Sequence, residues 1–197
     1  MKRVISLLVL FSFTGPVLAD STIDDYFYLL GFKLEESTIQ NVIDSLGEAG
    51  IHREGDAASS YTGVCYQNSK LETTVYFESG EMGGTYKRLL SFQVHSKPVR
   101  DYPCGVLTDE MAKKLSIGNL KLGSEIDKVV SSLPQNTYAK DNLTFSYLKK
   151  IPFTEEEIEK FEVKRKEYAF WDQFSQIDIF TENTKVSGYS VSKVTSW

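Results

Sequence analysis

Residues that carry chemistry are scarce in this chain: its 197 positions hold two histidines and two cysteines. His52 lies in "AGIHREGD", read as a loop, and His95 closes "LLSFQVH"; neither has a second His or a Cys at ligand spacing, so no metal site is expected. A G-x-S-x-G elbow is missing too, since "SSYTG" and "VSGYS" do not fit it. The Gly-rich "ESGEMGGTY" lacks the Lys-Ser/Thr ending of a phosphate loop and reads as a tight turn between strands. Paired carboxylates are frequent, but in an acidic chain their spacing says nothing. No catalytic residue and no cofactor are therefore expected.

Basic charge is short as well. Lys and Arg number 22 against 27 acids. Without Lys2 and Arg3 the balance is 20 against 27, or −7. Such a chain has no basic stripe for phosphates, which excludes nucleic acid as a partner and disfavours an anionic membrane surface. Long apolar runs are absent after the N-terminus. The single early run, Val4 to Phe13, spans ten residues, whereas a bilayer needs about 20. Preceded by Lys2 and Arg3 and followed by Val17-Leu18-Ala19, it reads as a signal peptide over 1–19, cut between Ala19 and Asp20. No Cys follows it, so no lipid anchor is expected there. The expected product is periplasmic, soluble and without stable membrane insertion. In that oxidising compartment Cys65 and Cys104 read as one structural disulfide, because the close C-x-x-C spacing of a redox pair is missing.

What is present is an echo. "ESTIQNVIDSLG" (36–47) returns 87 positions later as "GSEIDKVVSSLP" (123–134). Without gaps over 27 positions, Gly31 meets Gly118, and Ile39, Val42, Ile43 and Leu46 meet Ile126, Val129, Val130 and Leu133. The i, i+3, i+4, i+7 spacing predicts a helix in each copy, starting near Ser37 and Ser124 and ending at Gly47 and Pro134. A first helix is expected before each, capped by Ser21 and Thr108 and stopped by Gly31 and Gly118. The period then switches to two: "GVCYQ", "TTVYFES" and "LLSFQVH" in one half, "LTFSY", "SQIDIF" and "VSGYSV" in the other. The expected fold class is thus α+β, a tandem repeat of helix-loop-helix followed by a three- to four-stranded antiparallel sheet, over 20–105 and 106–197. An inserted charged helix is expected near 154–167, with a capping box of Thr154 and Glu157 and a staple of Phe153 and Ile158.

The stretch "LGSEIDKVVSSLP" resembles the L-G-M-T-x-x-x-V-x-x-x-L-G-x-P motif of small outer-membrane assembly lipoproteins of the SmpA/OmlA type. Gly123, Val129 and Leu133 match, while Ser124, Glu125 and Pro134 depart from it. Two such units in one exported chain resemble the β-lactamase inhibitor protein superfamily. The resemblance implies a protein-binding module whose helices cover one sheet face and whose other face takes a partner.

Alternation directs Val75, Phe77, Leu90, Phe92, Val94, Tyr189 and Val191 toward the helices. Tyr76, Gln93, His95, Phe180 and Ser190 then face the other way and are the candidate binding residues. The expected function is a non-enzymatic periplasmic module that binds another envelope or secreted protein. Alternatives are an inhibitor or immunity protein against a hydrolase or toxin, and a small envelope hydrolase using His52 or His95. Small-molecule storage between the halves has no sequence feature behind it. The sequon at Asn142 is expected to be idle.

Overall fold

The structure, a computed structural model, describes residues 22–56, 60–80, 84–134, 138–141, 143–165 and 168–196. The stretch 1–19 read as a signal peptide, the Ser21 cap, part of the Gly-rich turn and Asn142 of the sequon lie outside these residues. A short 3-10 helix, Ile23–Phe27, leads into a hairpin of β1 (Tyr28–Leu29) and β2 (Phe32–Lys33), then α1 (Ile39–Leu46). Four strands follow: β3 (Ile51–Glu54), β4 (Tyr61–Asn68), β5 (Thr73–Ser79) and β6 (Leu89–His95). After β7 (Gly105–Val106) come α2 (Asp109–Lys113), a second hairpin of β8 (Ser116–Ile117) and β9 (Leu120–Lys121), and α3 (Ile126–Ser132). The chain ends through β10 (Tyr138–Asp141), β11 (Thr144–Pro152), α4 (Glu155–Lys160), β12 (Phe170–Glu182) and β13 (Lys185–Ser196).

This corrects the α+β expectation. Among the described residues the fold is mostly β, with 46% of them in strands, and the α-helices number four, none longer than eight residues. Helix-loop-helix units followed by separate small sheets do not form. One antiparallel sheet instead runs in the order β10-β11-β12-β13-β6-β5-β4-β3, with β7 added parallel to β4. Two physical causes account for the difference. Gly31 and Gly118 end no helix; each sits with positive φ in the turn of a two-residue hairpin, and Leu30 shares the positive φ beside Gly31. The last strands of the two halves, β6 and β13, then pair with each other, which removes the free edges that separate sheets would have left. Val94 lies opposite Tyr189 and Phe92 opposite Val191 along this seam.

The echoed stretches are α1 and α3. Thr38 caps α1, its hydroxyl accepting from the Asn41 amide at 3.2 Å, and Gly47 at φ +96 ends it. Eight residues are too few for a stable isolated helix, for which about 12–15 are needed. Burial of Ile39 and Val42 against the sheet holds α1 in place, and Val129 does the same for α3. Phe27, Leu29, Phe32, Leu34, Leu115 and Leu120 complete a layer that forms one continuous core with Val64, Tyr66, Phe77, Phe92, Tyr189, Val191, Ile177 and Phe145 of the sheet. The inserted helix shrinks to the six residues of α4. Its Thr154–Glu157 capping box is present, and the ring of the buried Phe153 packs with Phe161 and Trp171.

Candidate functional site

The face of the sheet turned away from the helices holds the candidate residues. Val75, Phe77, Phe92, Val94, Tyr189 and Val191 all enter the core, as alternation requires. Leu90 does not: a register shift at Glu78/Ser79 makes it the extra residue of a bulge, and Leu89 enters the core in its place. The five candidates fall into two cross-strand rows. Tyr76 pairs with Gln93 and Gln93 with Ser190, while His95 pairs with Gly188 and Gly188 with Phe180. The structure thus brings all five together.

It does not leave them all uncovered. The segment from Ser96 to Cys104 runs across this face of β3–β6 as a strap. Cys104 is bonded to Cys65 of β4, which points outward because its neighbours Val64 and Tyr66 point into the core. The Tyr76 hydroxyl accepts from the Val99 and Arg100 amides at 3.1 and 3.3 Å. Arg100 forms an ion pair with Glu78, which also accepts from Ser91 at 2.8 Å and Gln93 at 3.1 Å. Helices on one side and the strap on the other bury every residue of β5. Tyr76 is fully buried and His95 nearly so, Gln93 and Ser190 are half-buried, and Phe180 is 43% exposed.

Beneath the strap runs a row of rings. His52, which lies on β3 rather than in a loop, stacks on Tyr102 at 3.8 Å. Tyr102 meets Tyr76 at 6.4 Å, Tyr76 meets His95 at 6.1 Å, and His95 meets Phe180 at 5.1 Å. The Arg100 guanidinium lies 5.3–5.9 Å from the rings of Tyr61, Tyr76 and Tyr102. Tyr61 and Tyr102 both donate to Glu54, and burial together with that bond pushes the Tyr61 hydroxyl up to about 12. Each histidine lies over a glycine of the next strand. A Cβ on Gly63 would come within 2.5 Å of His52 Nε2, and one on Gly188 within 2.5 Å of His95 Nδ1. Burial pushes the pKa of His95 down to about 4, helped by Arg100 and opposed by Glu78. Burial lowers that of His52 too. Both rings are therefore neutral at pH 7. Neither nitrogen of His52 has a hydrogen-bond partner among the described residues, and His95 Nε2 lies 3.4 Å from Gln93 Oε1.

Where the strap meets the other half a cavity of about 500 Å³ opens. Gln93, His95, Lys97, Arg100, Phe180 and Glu182 contribute to its walls. Farther along, no strap lies over the outer face of β11–β13 among the described residues. There Leu148, Phe174 and Val194 are neighbours across three strands and are 51%, 46% and 44% exposed. Gln176 and Asp178 lie beside them and are hydrogen-bonded to each other at 2.8–2.9 Å. No group of three or more potential metal ligands occurs among the described residues.

Sequence reasoning missed Arg100, Glu78 and Tyr102, and also Leu148, Phe174 and Val194. The strap was readable in principle. A disulfide from an outward-facing strand residue, Cys65, to Cys104 forces the chain before Cys104 to cross that face. Comparison with protein-family models, with curated proteins and with solved structures finds no match for the chain.

Proposed function

We propose that this protein is a non-enzymatic, exported binding module that docks another envelope or secreted protein on the uncovered face of β11–β13. The observation that carries the reading is the Leu148–Phe174–Val194 row, three apolar side chains held side by side in water on a rigid sheet. Interface cores have this composition: apolar, depleted of charge and rimmed by satisfied polar groups such as Gln176 and Asp178. Tyr76 and His95, buried under the strap, support the surface instead of touching a partner, and Phe180 stands at its margin. The acid excess of the chain favours a folded partner with a basic surface, attracted at low salt.

Export to the periplasm rests on the residue pattern of 1–19. The Cys65–Cys104 disulfide is compatible with an oxidising compartment, and no helix among the described residues is long and apolar enough to cross a membrane. The resemblance to β-lactamase inhibitor proteins supports partner binding on a sheet face.

Site-specific photo-crosslinking in the native host tests the reading. A crosslinker at position 174 is expected to give one discrete protein adduct, and one at Tyr28, exposed on the helix side, none. Adducts from position 28 alone, or from neither position, would reject the proposed face.

A further inference from the structure

At the Cys104 end of the strap, oxygen atoms from three chain segments converge. Glu54 ends β3, Tyr61 begins β4, and Tyr102 belongs to the strap. Tyr61 donates to one carboxylate oxygen of Glu54 at 2.5 Å, and Tyr102 donates to the other. The two phenolic oxygens are 3.5 Å apart, so four oxygens share one small volume. Backbone pairing places them. Glu54 lies directly opposite Tyr61 in the β3–β4 register, and the disulfide ties the strap, with Tyr102, to β4. Glu54 is exposed and both tyrosines are half-buried, so an ion can reach the group from solvent.

The donor set decides which ion fits. His52 stacks face-on against the Tyr102 ring, but its nitrogens bond to no described residue and its Nε2 sits over Gly63. The converging donors are therefore all oxygen, which suits a hard cation and disfavours copper and zinc. One carboxylate and two phenols differ from the His, Cys, Asp and Glu groups that hold most protein metals, of which the described residues have none. Phenols ligate a metal only after losing the proton. Burial and the bond to Glu54 hold the Tyr61 hydroxyl at about 12, so calcium or magnesium would not displace its proton at pH 7. A trivalent ion polarises far more strongly. Arg100, 5.3 Å from the Tyr61 ring, already favours the ionised phenol, and its own charge is met by Glu78. With both phenols ionised, each of the three groups carries one negative charge, and a single ferric ion neutralises them. We infer that Glu54, Tyr61 and Tyr102 form a binding site for ferric iron. Binding releases the two phenolic protons to solvent, and water completes the coordination. The site goes beyond the docking face and shares no residue with it.

The test is a titration of the purified, disulfide-bonded protein at pH 7 with ferric nitrilotriacetate, followed by visible absorption. A phenolate bound to ferric iron gives a charge-transfer band that neither free tyrosine nor a carboxylate–iron complex shows. The band is expected to saturate at one iron per chain, and excess calcium or magnesium should not reduce it. Tyr61→Phe and Tyr102→Phe should each weaken the band, and the double variant should abolish it. Glu54→Gln, at an exposed position that keeps the fold intact, should weaken iron binding at least ~100-fold, because even the outer partners of metal ligands are worth about 10–100-fold. Tyr86→Phe, at an exposed tyrosine outside the cluster, should change nothing. Far-UV circular dichroism verifies the fold of every variant. No visible band at any excess of iron, a band that survives in the double variant, or unchanged affinity in Glu54→Gln overturns the assignment.

Discussion

His95 lies between sheet and strap with its ring over Gly188, and it binds a proton far less readily there than in water. Its pKa falls from the ordinary 6.5 to about 4, so between those values the unfolded chain holds more protons than the folded one. The stability this contributes is complete above pH 6.5 and is lost as the pH falls toward 4, up to about 3 kcal/mol in all. His52 acts in the same direction. Urea unfolding at pH 7 and pH 5 should therefore show the His95→Gln variant losing about 2 kcal/mol less than the parent over that interval. Equal losses would show that His95 is not held neutral. Tyr189 offers a converse case. Its hydroxyl is buried at the seam with no hydrogen-bond partner among the described residues, and burial raises its pKa. Tyr189→Phe removes an unsatisfied polar atom and should raise stability by about 1 kcal/mol in the same assay. Period-two alternation assigned Tyr189 and Val191 to the core and His95 to the other face. It carried no information on cover, because a residue facing away from the helices reads as exposed until the strap is known.

The strap is the element that most changes the site. Its anchors are the disulfide, the Tyr76 hydroxyl on two backbone amides, and the Arg100–Glu78 pair. Cross-linking residues 39 apart stabilises the fold by about 4 kcal/mol through the lost entropy of the unfolded chain. A Cys65→Ala/Cys104→Ala variant should lose about that much and exchange the amide protons of Val99 and Arg100 far faster than the parent. Unchanged protection there would mean that the polar anchors hold the strap without the disulfide. At this scale the helical segments α1 and α3 were legible, because their apolar spacing and terminal signals agree. The hairpins before them were not. Gly31 and Gly118 have the φ > 0 conformation that helix ends and two-residue turns both use, and the residues alone do not separate the two. The union of β6 and β13 was hidden for a related reason. Strand pairing between halves depends on which edges meet in space, and nothing local encodes it.

On the scale of the whole molecule, one sheet presents three environments: a helix-covered face, a strapped region over β3–β6 and an uncovered region over β11–β13. The first buries the core, the second fixes charged and aromatic groups, and the third leaves Leu148, Phe174 and Val194 in water. Candidate residues chosen by alternation landed together at the border of the second and third regions. The apolar row escaped notice because "WDQFSQIDIF" and "VSKVTS" alternate on both sides of the strand in mixed chemistry. On the proposed reading the row takes the partner, and the acid excess draws in a basic one. Raising the salt should therefore slow association more than it speeds dissociation.

The most direct test is paired affinity capture from the native envelope extract at low salt, using the parent protein and its Phe174→Asp variant, with mass spectrometry of what is retained. A charge at the centre of the row, exposed in the free protein and desolvated in a complex, leaves the fold intact and should weaken binding by about 2 kcal/mol or more, roughly 30-fold. One stoichiometric protein held by the parent and lost by the variant is the predicted result. A partner retained equally by both, or no partner after crosslinking, would contradict the account.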